Sequence, residues 1–444
     1  MKKVLSVVLA SAIIASVAIT GCSKNEPAPA QSGTPAAQTT QTAAPAKKIT
    51  LRVAWWGNQV RNERTQKAMD LYNKNNPNVS FEGEFVAWDG YWDKLATQSA
   101  ANNLPDVIQQ DYAYIGQYTS KKLMEDLNPY VKSGVLNTKD ISENVIASGT
   151  VDGGFYALSL GTNSQCLYID PAAFQKAGVA VPKSDWTWKD FEDVLAKVAK
   201  GSGMVSEPLW FSDPNGLLEY MVRQTGKSLY SKDGTALGFD DAKIVEELYD
   251  RALRLTKAGV YPKPDTLTSV KAIEDNPISK GTAFLGSGWS NQLVGFATAA
   301  KKPLDVIQLP AGSKPGAYLK PSQFFSVSSK SANKEESVKF INFFTNDIEV
   351  NKILLAERGV PVSSKVRDGI KSLVDENTQK TFDFIALAEK NSAPIDAPEP
   401  PGAAEVKKAC KNFYDEVLFE KTSPKDAAAK YMKQANEILA KNKK

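Results

Sequence analysis

Alternating apolar and polar positions open the first patterned stretch of the chain. Residues 49–55 (ITLRVAW) alternate with the period of two that is typical of a β-strand. A helical spacing of apolar residues follows and stops at Asn76-Pro77. The pattern predicts strand 49–55, helix 61–75, strand 79–85, helix 91–102 and strand 105–109. Strands that alternate with helices indicate an α/β fold with a parallel sheet.

Helical periodicity returns at intervals along the rest of the chain. Thr187 and Asp190 have the spacing of a capping box, and Phe191, Val194 and Leu195 follow at helical spacing. The predicted later helices cover residues 188–198, 241–258, 335–344, 348–357 and 426–440. No internal repeat is evident, so the sequence does not predict a solenoid.

The N-terminus has the pattern of a lipoprotein signal peptide. Lys2 and Lys3 precede an apolar run over 4–19, which is too short for a good spanning helix, and Gly21-Cys22 completes a lipobox. We expect residues 1–21 to be removed and Cys22 to carry a diacylglycerol, which would anchor the protein in the cell membrane on its extracellular or periplasmic side. The alternative is an ordinary signal peptide with an incidental cysteine. Whether the host has an outer membrane stays open.

The segment after Cys22 has the composition of a tether. Residues 23–46 contain no aromatic residue and no Leu, Ile or Val. Such a chain buries too little apolar surface to offset its entropy, so we expect residues 22–47 to be disordered. As a flexible coil it would span roughly 25–30 Å.

Composition narrows the possible functions. The 444 residues carry a net charge of +4, which gives no electrostatic footprint for nucleic acid. The sequence has no histidine, which excludes Ser-His-Asp and Cys-His nucleophiles and the usual zinc sites, and we expect no metal or cofactor. Besides Cys22 there are two cysteines, Cys166 and Cys410, and the sequence leaves open whether they pair.

Tryptophans with polar neighbours suggest carbohydrate binding. The eight tryptophans fall in segments such as WWGNQ, WDGYW, WFSDPNG and GSGWSNQ, beside Asp, Asn and Gln. A sugar has apolar C–H faces that suit an aromatic platform and a rim of hydroxyls that suits amides and carboxylates. Core packing is the alternative for any single tryptophan, and for WTW at residues 186–188 it is favoured.

Several long segments resemble a known family. The segments LRVAWWGNQVR, FVAWDGYWDKLATQSAANNLPDVIQQDYAYIGQY, VDGGFYALSLGTNSQCLYID and ERGVPVSS are similar to those of sugar-binding lipoproteins of bacterial ABC importers. Within that family the chain most resembles binding proteins for pectin-derived oligosaccharides of the rhamnogalacturonan type, and PEPPGAAEV at 398–406 strengthens this likeness.

The resemblance implies two α/β lobes with a ligand cleft between them. Lobe one would comprise residues 48–156 and 325–365, and lobe two residues 157–324 and 366–444, with residues 156–161 as the first crossing. The family's cleft positions fall on Trp56, Trp88, Asp89, Asp111, Tyr112, Asn163, Trp210, Asp213, Trp289 and Glu399. Trp289, Asp111 and Asn163 are the leading candidates, since Trp289 lies among small residues and Asp111 follows a predicted parallel strand.

Two functions from different classes compete at this stage. The resemblance implies a monomeric binding protein without catalytic activity, which closes on an oligosaccharide and docks to the permease subunits of an ABC transporter. The alternative is an extracellular glycoside hydrolase with paired carboxylates, for which Asp89, Asp111 and Glu399 are candidates.

Overall fold

The computed structural model describes residues 48–270 and 272–442. The signal peptide, Cys22 and the tether lie outside the described residues. Within these ranges the strands are β1 Ile49–Trp56, β2 Val79–Val86, β3 Val107–Gln110, β4 Thr150–Val151, β5 Gly154–Phe155, β6 Leu158–Ser159, β7 Thr162–Asn163, β8 Gln165–Ile169, β9 Val205–Ser206, β10 Ala283–Trp289, β11 Asp305–Ile307, β12 Lys320–Pro321 and β13 Phe324–Val327.

Helices surround and connect these strands. The α-helices are α1 Gln59–Asn75, α2 Trp88–Ala100, α3 Tyr112–Ser120, α4 Asn128–Ser133, α5 Glu143–Ser148, α6 Pro171–Ala177, α7 Trp188–Ser202, α8 Pro214–Arg223, α9 Ala242–Lys257, α10 Pro264–Leu267, α11 Leu293–Ala300, α12 Lys334–Asn346, α13 Ile348–Leu354, α14 Ser364–Ile370, α15 Glu376–Lys390, α16 Ala403–Leu418 and α17 Pro424–Leu439. Among the described residues, no helix is long and apolar enough to cross a membrane.

The strands form two main sheets. The first has the order β2-β1-β3-β13-β6, in which β1 runs parallel to β2 and β3, while β13 runs antiparallel to its neighbours. The second has the order β11-β8-β10-β9. The alternation of strands and helices predicted for residues 49–109 is confirmed, with element ends that differ by a few residues.

Local signals account for the ends of several helices. The capping box is confirmed, because Thr187 Oγ1 accepts a hydrogen bond from the Asp190 backbone N–H at 3.2 Å and Asp190 Oδ2 accepts one from the Thr187 N–H at 2.8 Å. The helix predicted to reach residue 357 is wrong at its end. It stops at Leu354, because Leu355 and Ala356 take left-handed conformations with φ of 45° and 54°.

The buried core continues from the first sheet to one face of the second. Cys166 and Tyr168 of β8 pack in the same hydrophobic cluster as Leu51 and Val53 of β1, whereas Leu167 and Ile169 face a second cluster with α7–α9, α16 and α17. Because alternate side chains of a strand point to opposite faces, β8 contributes to both hydrophobic cores. Cys166 and Cys410 are free, buried thiols.

Two short strands carry the chain between the sheets. After β6 of the first sheet the chain passes through β7 to β8 of the second, and it returns through β12 to β13. β7 and β12 pair with each other, with Asn163 opposite Lys320 and Thr162 opposite Pro321. The two crossing segments are thus hydrogen-bonded to each other. The predicted lobe boundaries stay a prediction.

Candidate functional site

A polar cleft lies beside the crossing strands. It consists of one cavity of about 600 Å³ and an adjoining one of about 1100 Å³. Both cavities are lined by Glu219, Trp289, Gln292, Tyr318, Lys320, Glu399 and Lys407. Because these residues are shared, the two cavities form one continuous cleft, and we use that name for both together.

Trp289 lies at the centre of this cleft, at the end of β10. Gln292 Oε1 accepts a hydrogen bond from the Trp289 backbone N–H at 3.0 Å, and the Tyr168 hydroxyl donates to the Trp289 carbonyl at 2.6 Å. The indole is half-buried and meets Tyr318 edge-on at 5.9 Å between ring centroids. The Lys320 ammonium lies over the ring, 4.7 Å from its centroid. The backbone of Trp289 is therefore held firmly, while its ring borders open space.

Asp111, Tyr112 and Asn163 line the larger cavity. Asp111 follows β3 and caps α3, accepting a hydrogen bond from the Ala113 N–H at 2.9 Å. Asn163 on β7 is 9% exposed, and its Oδ1 has no hydrogen-bond partner among the described residues. A buried amide oxygen without a partner is costly, so a ligand donor at this point would relieve that cost. The Tyr112 hydroxyl donates to the Asp396 carbonyl at 2.5 Å.

Trp210 and Asp213 line the smaller cavity, at the start of α8. Trp210 has a left-handed φ of 47°, and Ser287 Oγ accepts a hydrogen bond from its backbone N–H at 2.8 Å. Such a conformation costs about 1–3 kcal/mol and is more frequent at binding sites. Burial raises the pKa of Asp213. Glu399 lines both cavities and forms an ion pair with Lys407 at 2.5 Å.

Trp56 and Trp88 lie in a separate aromatic cluster. Their rings meet at 5.0 Å between centroids, and the cluster includes Tyr91, Trp92 and Tyr114. Trp88 is 41% exposed, and neither tryptophan is among the described residues that line the cleft. Asp89 is the second residue of α2, but its side chain lies outside the described part of the structure. The structure therefore brings together seven of the ten predicted positions.

Charged residues that the sequence analysis did not select complete the walls. Arg61 and Glu357 form an ion pair at 2.9 Å. Arg358 is buried and donates to Thr65 Oγ1 at 2.8 Å. Its Nη1 makes no hydrogen bond among the described residues but lies 3.5 Å from Glu357 Oε2. Burial lowers the pKa of Arg358 to about 9. Glu357 and Arg358 belong to the ERGV segment at 357–360. Only long-range contacts of this segment place them in the cleft, so no local pattern could have identified them.

Glu219 is the most perturbed carboxyl of the cleft. It lies on α8, one turn before Arg223. Burial raises the pKa of Glu219 to about 7, with Arg223 opposing the shift and Asp396 adding to it. A carboxyl with this pKa in a cleft marks a candidate functional group. Among the described residues, no cluster of Cys, Asp and Glu is arranged to hold a metal ion.

The fold and the cleft together define a solute-binding protein with two α/β lobes. The sequence model of the bacterial extracellular solute-binding protein family matches residues 67–381. The chain belongs to this family. The family resemblance and the two-lobed α/β fold that the sequence predicted are therefore confirmed.

Similar proteins agree with this assignment. An extracellular solute-binding protein (family 1) of Alicyclobacillus acidocaldarius is 29% identical, with a TM-score of 0.83 over 89% of this chain and 99% of that one. A periplasmic oligogalacturonide binding protein from Yersinia enterocolitica is 21% identical, with a TM-score of 0.72 over 88% of this chain and 99% of that one, and supports the fold alone. An uncharacterised lipoprotein of Streptomyces antibioticus is 22% identical over 342 residues, 71% of each chain.

Proposed function

We propose that this protein captures an oligosaccharide outside the cytoplasmic membrane and delivers it to the permease of an ABC importer. The observation that carries the proposal is the continuous cleft with Trp289 at its centre. Its larger cavity alone, at about 1100 Å³, exceeds the range of roughly 300–1,000 Å³ for pockets of small ligands. A chain of several sugar rings fits such a volume better than one ring does.

The chemistry of the walls supports a carbohydrate ligand. Trp289 offers an aromatic face, and the buried oxygens Asn163 Oδ1 and Gln165 Oε1 have no partner among the described residues. Sugar hydroxyls are donors that satisfy such acceptors. Proteins with the same fold bind carbohydrates, among them the oligogalacturonide binding protein and a Streptomyces glaucescens receptor solved with acarbose.

Membrane attachment through Cys22 and action as a monomer belong to the same proposal. The lipobox supports the anchor, and a relative is itself called a lipoprotein. A tethered binding protein meets its permease at a high effective concentration, which favours transfer of a scarce ligand. The ligand would bias the hinge at the crossing strands towards a closed form that the permease recognises.

A glycan panel tests the proposal. Digalacturonate, a rhamnogalacturonan disaccharide, xylotriose and maltotriose are each mixed with the soluble chain that lacks residues 1–47. We expect at least one to raise the melting temperature, since a ligand at 100 times its Kd stabilises by about 2.7 kcal/mol. Chromatography after prolonged incubation should recover every glycan intact.

Two outcomes contradict the proposal. A panel without any thermal shift argues against carbohydrate binding. Shortened products that disappear in Asp111→Asn or Glu399→Gln would instead support the glycoside hydrolase alternative.

A further inference from the structure

Glu219 lies where three cavities meet. It lines both cavities of the cleft and also a third cavity of about 720 Å³, which is bounded by residues 228–234 and 396–401. Its side chain is partly buried, and among the described residues its carboxyl has no hydrogen-bond or ion-pair partner. A ligand that extends from one cavity into the next therefore passes beside this residue.

The two cations whose charges act on Glu219 are paired with other carboxylates. Arg223 forms an ion pair with Asp396 at 2.7 Å, and Lys407 forms one with Glu399 at 2.5 Å. Within residues 48–270 and 272–442, Glu219 itself forms no ion pair. The ionisable groups that face it are Arg223 on its own helix, Asp396 and Glu399 on the 391–402 segment, Lys407 on α16, and the tyrosines Tyr112, Tyr230 and Tyr318.

We propose that Glu219 contacts the captured glycan as a neutral carboxylic acid, so that ligand capture takes up a proton from solvent wherever this carboxyl is ionised in the free protein. This inference rests on the proposed function. Filling the three cavities removes the water that solvates a carboxylate, and among the described residues the two cations that act on Glu219, Arg223 and Lys407, are already paired with other carboxylates. A protonated carboxyl instead donates its O–H to a ring, hydroxyl or carboxylate oxygen of the sugar.

The proposal also ranks ligands by charge. An ionised Glu219 would repel the carboxylate of an acidic sugar, whereas a neutral Glu219 would donate a charge-assisted hydrogen bond to it. Glu219 already has a pKa of about 7 in the free protein because of its burial, so little free energy is needed to protonate it on binding. Acidic glycans should accordingly show a steeper pH dependence than neutral ones.

Proton counting tests the inference on the unmodified protein. Digalacturonate and xylotriose are titrated by calorimetry at pH 7 in buffers that differ in ionisation enthalpy. We expect net proton uptake, and a Kd that weakens above pH 7 by up to about tenfold per pH unit. Proton release, or a Kd that stays constant from pH 5.5 to 8.5, overturns the proposal without the need for a variant.

A matched pair of variants locates the proton. Glu219→Gln keeps the shape of the neutral acid, so we expect it to bind at pH 8 as the wild type does at pH 6, without proton uptake. Glu437→Gln, on the exposed surface of α17, should keep the pH dependence of the wild type. If folded Glu219→Gln loses binding at every pH, Glu219 acts as an anionic acceptor and the inference is wrong. A wild type that binds no glycan of the panel overturns both proposals, while pH-independent binding overturns only this one.

Discussion

Truncation of Trp289 separates a binding role from a structural role at the centre of the cleft. We predict that Trp289→Ala weakens glycan binding and leaves the free protein nearly as stable as the wild type. The indole belongs to none of the hydrophobic clusters of the described residues, and its ring borders both cavities. The hydrogen bonds that fix residue 289 involve its backbone, which alanine retains.

The magnitude follows from two opposing contributions. Burial of a large aromatic side chain against a ligand contributes about 2–3 kcal/mol. A sugar that stacks on the face beneath Lys320 must displace the ammonium, whose exposed cation–π contact is worth about 0.5–1 kcal/mol. The net loss of binding free energy is therefore about 1–2.5 kcal/mol, or roughly 5- to 70-fold in Kd. The free energy of unfolding without ligand should change by less than about 1 kcal/mol.

Calorimetry and denaturant melts distinguish the two roles. Trp186→Ala is the control, because Trp186 is 6% exposed, packs in the core and donates to the Gln308 carbonyl at 3.1 Å. We expect that control to lose about 3–5 kcal/mol of stability with little change in Kd. Unchanged affinity together with a large loss of stability in Trp289→Ala would refute the argument and place Trp289 in the core.

Three further predictions concern stability and location. A Cβ at Gly161 would lie 2.3 Å from the Arg358 carbonyl oxygen, so Gly161→Ala should lower the free energy of unfolding by about 1–3 kcal/mol. A Cβ at Gly116 on α3 would meet nothing within 4 Å, so Gly116→Ala should raise it by about 0.5–1 kcal/mol, and similar melting of both variants would contradict this. Burial raises the pKa of Glu207 from 4.5 to about 8, so the folded protein holds a proton that the unfolded chain has lost, and this group should lower stability by about 1 kcal/mol per pH unit between about pH 5 and 8. Glu207→Gln should therefore reduce the slope of stability against pH in melts, and an unchanged slope would speak against it. Cys22→Ala should release folded protein from the membrane fraction, whereas membrane binding that persists in high salt would disprove a lipid anchor.

The fold could be predicted where its signals are local. The strands and helices of residues 49–110 have clear period-two and helical patterns, and the capping-box spacing of Thr187 and Asp190 predicts the start of α7. The end of α13 could not be predicted, because Leu355 and Ala356 have no intrinsic preference for the left-handed conformation they adopt. Surrounding contacts fix that turn, and a sequence pattern does not contain them.

The candidate site could be predicted only where its residues follow a local sequence pattern. Trp289 and Asp111 lie at the ends of strands, where a local pattern exposes them. Glu219 looks like an ordinary residue of an amphipathic helix, and only the distant 391–402 segment places it at the junction of the cavities. Trp56 and Trp88 had the same polar-flanked signature as Trp289, yet they pack against one another, and their role in binding stays a prediction.

Under the proposed function, the crossing strands would link ligand contact to hinge motion. Asn163 of β7 lies opposite Lys320 of β12, so two wall residues lie on the segments that join the two sheets, and the Lys320 ammonium covers the ring of a third, Trp289. Asp111, by contrast, follows β3 of the first sheet. A glycan that displaces Lys320 from Trp289 and also bonds to Asp111 would pull on both sheets at once. Its preference for the closed form would then equal the difference in free energy between its contacts in the two forms.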